Sequence, residues 1–169
     1  MLPSASAGAD AVAAAWGSNA TTAGSLTVNG GLGSATVTVA VNSTAKANSD
    51  LINAQTAKTG VTATARTEVN LAFGAVGSYS LNLRSDNGTA QAVSFAVTAT
   101  GTADGLGAAV AAINDQASKT GVTASLNAAG TAVILTNASG NDITVSDTAV
   151  QMLEVAERLR RWFRRERTR

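Results

Sequence analysis

Apolar and polar positions along this chain follow first a two-residue and then a helical period, and the pair of patterns occurs twice. Residues 25–30 (SLTVNG) and 34–41 (SATVTVAV) alternate apolar side chains with Ser, Thr and Asn, which predicts two strands. Residues 78–99 (SYSLNLRSDNGTAQAVSFAVTA) alternate in the same way around Asp86-Asn87-Gly88, a tight-turn signal. A helical stretch follows each pair. In the second, Leu106, Val110, Ile113 and Ala117 recur at i, i+4, i+7 and i+11, one face of a helix over about 103–119. Gly121 stands where a left-handed C-cap is needed, and Lys119 suits the negative end of the helix. Val122, Ala124 and Leu126 then share one face of a strand. The first copy puts Leu51 and Ile52, Gly60, then Val61, Ala63 and Ala65 in the same roles. Further strands are predicted at 69–73, 131–136 and 142–146, with Asn137–Asn141 turning between the last two.

The two patterns are copies. LINAQTAKTGVTA (51–63) aligns without a gap to AINDQASKTGVTA (112–124), with nine of 13 positions identical. The matched pairs include Ile52 with Ile113, Asn53 with Asn114, Gln55 with Gln116 and Gly60 with Gly121. For both glycines, helix capping accounts for the residue better than phosphate binding. The expected fold class is α+β: two β-hairpin–helix–β repeat units with mainly antiparallel sheet, plus a C-terminal amphipathic helix. The expected divisions are an Ala-rich segment at 1–23, a first unit at 24–76, a second at 77–148 and a basic helix at 149–169. Thin units of this kind are expected to share a core.

Composition sharpens this picture. Alanine supplies 36 of the 169 residues, which predicts a thin, Ala-lined core. The chain has neither Cys nor His, so disulfides, thiolate and imidazole chemistry and the usual zinc sites are excluded. We expect no enzyme, no catalytic residues, no cofactor and no metal. Asp86 and Asp142 lie in Gly/Asn turns, where turn chemistry explains them better than a Ca²⁺ loop. The glycines from Asn29 to Ser34 form no phosphate-binding fingerprint and read as a hairpin loop. Four Asn-x-Ser/Thr matches, at Asn19, Asn42, Asn87 and Asn137, are at the level chance supplies in a chain this rich in Asn, Ser and Thr.

The net charge of +1 is an average of unlike parts. Residues 1–150 hold five basic groups against eight acids, a balance of −3, and residues 151–169 hold seven Arg against three Glu, a balance of +4. In that last segment Met152, Val155, Leu159, Trp162 and Phe163 fall within an arc of about 120° on a helix, a candidate interaction face. Arg158, Arg160, Arg161, Arg164 and Arg165 are the candidate basic contacts. Packing on the body or on a protein partner is favoured over a membrane surface, and nucleic acid is disfavoured because the body is acidic. An Ala-rich helix ending at Gly17 is expected near the N-terminus, with Trp16 a possible packing partner for that stripe.

The pattern I-N-x-Q followed by K-T-G-V-T-A and a strand resembles the "IN" motif in the outer, variable region of bacterial flagellins and related hook-associated and filament-cap proteins. The stretches 78–99 and 124–147 also resemble flagellin outer-domain sequence, and the likeness covers roughly 24–148. It implies a structural domain projecting from the filament surface in the extracellular flagellum, with other flagellin-like subunits as partners. It also fits the missing Cys and the absence of a secretory signal, since flagellins leave through the flagellar export apparatus. Residues 1–23 and 149–169 do not resemble the family's polymerising arms, so this chain is expected neither to build a filament alone nor to carry a recognisable export signal. The alternative expectation is an adhesin-like or filament-cap-like binding module, or partner or membrane binding through the C-terminal helix.

Overall fold

The computed structural model describes residues 19–147. The Ala-rich helix and the basic C-terminal helix expected from the sequence lie outside the described residues. All described strand pairs are antiparallel and the helices are short, an α+β arrangement.

The first unit opens with β1 (Gly24–Gly30) and β2 (Gly33–Val39), paired along their whole length from Gly24↔Val39 to Gly30↔Gly33. Helix α1 (Ala45–Asn53) starts at Thr44, whose hydroxyl accepts the Ala47 N–H at 3.1 Å, and carries the i,i+4 pair Lys46–Asp50 at 2.7 Å. A single turn, α2 (Thr56–Thr59), ends at Gly60 in the left-handed region, φ 73°. The strand expected at Val61–Ala65 is not formed; the chain runs without a regular element through Arg66 into β3 (Thr67–Leu71). The reason is a missing turn. In the second copy, Asn127 folds the chain back by accepting the N–H groups of Thr131 (2.8 Å) and Ala132 (3.2 Å), and the first copy has no such residues between Ala65 and Thr67.

The second unit is complete. Strands β4 (Gly77–Arg84) and β5 (Gln91–Val97) pair with Tyr79 opposite Phe95 and Leu81 opposite Val93. Helix α3 (Ala103–Asn114) is capped by Thr102, whose hydroxyl accepts the Gly105 N–H, and Asp104 sits in its first turn. The single helix expected over 103–119 is broken: α3 stops at Asn114 and a separate turn, α4 (Ala117–Thr120), precedes Gly121 at φ 70°. The break lies at Asp115 and Gln116, where Gln116 takes φ −98° and ψ 1° and leaves the helical region. Strands β6 (Val122–Leu126) and β7 (Val133–Asn137) form a hairpin, and β8 (Thr144–Asp147) pairs with β4 from Leu81↔Asp147 to Arg84↔Thr144. The sheets are therefore β1-β2, β3-β7-β6 and β5-β4-β8. Strand β3 joins the units by pairing with the free edge of β7, from Thr67↔Asn137 to Leu71↔Val133.

Among the described residues there is one core cluster, and it belongs almost wholly to the second unit. Tyr79, Leu81 and Leu83 from β4, with Val93, Phe95 and Val97 from β5, meet Leu106, Ala109 and Ile113 of α3 and the inner faces of β6 and β7. Leu71 and Phe73 enter from the end of the first unit, and Phe73 stacks edge-on against Tyr79 and Phe95 at 4.9 and 5.5 Å between ring centres. The expectation of an Ala-lined core is corrected: its lining is large, and only Ala109, Ala124 and Ala132 are buried among the described alanines. At the offset of the repeat, α3's Leu106, Ala109 and Val110 correspond to Ala45, Asn48 and Ser49 in α1, which bury little apolar surface. In consequence Val37 is the one described large apolar residue of the first hairpin that is buried, while Leu26 is 45% exposed.

Candidate functional site: the repeated Ile-Asn turn

The repeat motif builds the same object twice. At the end of α3, Asn114 turns its amide onto the backbone of Ala124, ten residues on. Its Nδ2 donates to the Ala124 carbonyl at 3.0 Å, and its Oδ1 accepts the Ala124 N–H at 2.7 Å. Asn53 does the same to Ala63, donating at 2.9 Å and accepting at 2.7 Å. A primary amide matches both groups of one extended residue, so it fills the place a neighbouring strand would take. Neither Asp nor Gln reproduces this: a carboxylate has no donor, and Gln is a methylene too long.

The other motif residues set up the clasp. Ile113, 1% exposed, anchors α3 in the core beside Asn114, whereas Ile52 is half-buried. Gln55 and Gln116 make no side-chain cap; their carbonyls matter, each accepting the N–H groups of the third and fourth residues on. Each also accepts a threonine hydroxyl, Thr59 to Gln55 at 3.1 Å and Thr120 to Gln116 at 2.9 Å. Those hydroxyls accept in turn the N–H of Val61 and Val122. Both threonines are fully buried, and sequence reasoning passed them over although they lie inside the identical K-T-G run. The turn of Gly60 and Gly121 then brings Thr59 and Thr120 carbonyls out to meet a hairpin tip. Leu32 N–H donates to Thr59 at 3.2 Å and Asp86 N–H donates to Thr120 at 3.0 Å.

At the second tip a polar cluster replaces the apolar contact of the first. Leu32 lies over Gly60, and the Asp86 carboxylate lies over Gly121. Asp86 accepts from the amides of Asn137 (2.7 Å) and Asn141 (2.8 Å), and Asn137 also donates to Ser85 Oγ at 2.9 Å. Asn137 is wholly buried with both amide atoms engaged, so of the four Asn-x-Ser/Thr matches this one has no free amide for a glycan. Asp142 accepts from Asn19, ahead of the first unit, at 2.8 Å, and Lys46 N–H donates to the Gly140 carbonyl at 2.9 Å, which ties the end of the second unit to the first.

Among the described residues, no three His, Cys, Asp or Glu side chains come together, and no helix is long and apolar enough to cross a membrane. The hydrogen bonds of the motif are spent on holding backbone. The interaction-face residues Met152, Val155, Leu159, Trp162 and Phe163, and the basic residues from Arg158 to Arg165, lie outside the described residues.

A family model described as the flagellin hook IN motif matches the chain twice, over residues 25–87 and 80–139. The chain belongs to the flagellin hook IN-motif family. The matches together run from β1 through β7, and the clasped asparagines fall inside them. They overlap at residues 80–87, on β4 and the turn behind it, so one strand closes the first match and opens the second. No curated protein matches the chain. Membership makes this a flagellin-like structural protein, and the family points to other flagellin subunits as partners and to the extracellular flagellar filament as its place.

Proposed function

We propose that this chain is the surface-exposed outer domain of a flagellin-like filament protein, serving as non-enzymatic surface architecture. The observation that carries this reading is the pair of Ile-Asn clasps within the two family matches. Each closes a hairpin–helix unit with side chains alone, Asn53 on Ala63 and Asn114 on Ala124. The outer face of the first hairpin is polar and neutral: Ser25, Thr27, Asn29, Ser34, Thr36 and Thr38 are all exposed.

The test is immunogold electron microscopy of flagellated cells that carry the gene, using antibody raised against the folded chain. Label along the whole filament is the expected result. Label confined to the filament tip would assign the domain to a cap-like binding module instead, and unlabelled filaments would overturn the flagellar reading.

A further inference from the structure

The edge of β1 marks a difference between the copies. In the second unit β4 is paired on both sides, by β5 and by β8. Its counterpart β1 is paired by β2 alone among the described residues. The two-residue turn at Gly31 and Leu32 closes on Gly30 and Gly33, a pair that exchanges both backbone bonds in such a hairpin. Alternation then aims the backbone groups of Leu26 and Val28 at β2 and those of Ser25, Thr27 and Asn29 outward, where no described residue bonds them.

The usual protections are missing from this edge. No charged residue and no proline occurs between Asp10 and Lys46, and the register with β2 runs without a bulge. The other strand of the hairpin, β2, is equally uncharged, but α1 and α2 both pack against it, and the remaining edges are covered or charged, β8 carrying Asp147. Arg66 and Glu68 form an ion pair at β3, α3 packs against β5, and on β6 the Val122 N–H and both Ala124 groups are taken by Thr120 and Asn114.

We propose that β1 pairs antiparallel with β1 of a second copy of this chain, making one four-stranded sheet across a twofold axis near Thr27. Three observations select the occupant. An antiparallel self-pair about Thr27 sets Thr27 against itself and Ser25 against Asn29, and because β1 has no charge no such pair repels. Thr27 outward groups meet the same groups of the other copy, so donors and acceptors match. The pairing also sets Leu26 of one copy beside Val28 of the other, and Leu26 is the exposed apolar residue of the strand at 45%. An isolated two-stranded hairpin is marginal in water, and the added strands remedy that. The inference concerns the chain in solution and stands apart from the filament reading.

The test uses the full chain in size-exclusion chromatography with light scattering over a concentration series. The expected result is a rise to twice the monomer mass. Thr27→Lys sets two ammonium groups face to face and abolishes the rise, whereas Thr36→Lys, on the same polar face but one strand away from the seam, leaves it intact. Circular dichroism of both variants checks that they fold. The chain has no cysteine, so Thr27→Cys supplies a single thiol. Under mild oxidation it yields a covalent dimer, and Thr36→Cys does not. A chain that stays monomeric at every soluble concentration overturns the proposal, as does a Thr27→Lys variant that dimerises like the parent.

Discussion

Asn114 and Ala124 are joined by both backbone groups of the alanine, and Asn53 and Ala63 repeat the arrangement with bond lengths that agree within 0.1 Å. The two copies have diverged over most of their length, and the geometry of this clasp has not. It ties the end of a helix to the backbone ten residues on, in β6 on the side away from β7 and in the first copy with no strand formed at all.

Removing the amide should therefore cost the bonds it makes. Asn114→Ala is expected to lower stability by roughly 1–3 kcal/mol, two hydrogen bonds at their usual net worth. Asn114→Asp should lose at least as much, because a carboxylate oxygen would face the Ala124 carbonyl where a donor now stands. Urea unfolding midpoints measure both. Unchanged midpoints would remove the clasp from any account of stability.

The isoleucines before the asparagines should differ. Ile113 is 1% exposed inside the core, so Ile113→Ala is expected to cost about 2–5 kcal/mol. Ile52 is half-buried on the polar helix α1, and Ile52→Ala should cost well under half as much. Equal losses in thermal or urea unfolding would contradict the single core placed in the second unit.

Alanine at the two capping glycines makes a similar contrast. Both hold left-handed backbone, φ 73° at Gly60 and φ 70° at Gly121, which costs an L-residue about 1–2 kcal/mol. A methyl at Gly60 meets the Leu32 side chain, which is 73% exposed and free to move aside. A methyl at Gly121 meets the Asp86 carboxylate, which Asn137 and Asn141 hold in place. Gly121→Ala is therefore expected to be the more damaging, and it should cost less in an Asp86→Ala background than in the parent. Differential scanning calorimetry of the single variants and the double decides it, and an equal cost in both backgrounds would count against the stated cause.

Amide hydrogen exchange should divide the chain unevenly. Strands β4 and β7, paired on both sides over buried Leu81, Leu83, Val133 and Leu135, are expected to exchange only on global unfolding. Strand β2 amides should exchange sooner, through local opening of a hairpin that buries Val37 alone among its large side chains. Mass spectrometry of peptic fragments reads this directly. Uniform protection across both units would refute it.

Much of the architecture was legible because it rests on local rules. Alternation found the hairpins, and the Lys-Thr-Gly run located both left-handed caps. What escaped depends on distance or on a side chain acting as backbone. The break after Asn114 keeps an apolar period on both sides, so periodicity ran straight through it. The missing strand at Val61–Ala65 has the right alternation, and the turn it lacks has to be noticed by its absence. Asp86 and Asn137 are 51 residues apart, and nothing local tells a buried, fully bonded asparagine from a turn residue. The unevenness of the core was readable in principle, from Ala45, Asn48 and Ser49 set against Leu106, Ala109 and Val110, once the alignment is carried upstream of the identical run.

That unevenness gives the two copies different freedoms. Substitutions in Leu106, Ile113 or Leu135 strike the packing on which the whole molecule stands, and selection will hold them. Substitutions at the outward side chains of β2, Ser34, Thr36 and Thr38, strike nothing buried. Those positions can therefore change what an outside observer touches while Gly30, Val37 and the rest of the skeleton stay as they are.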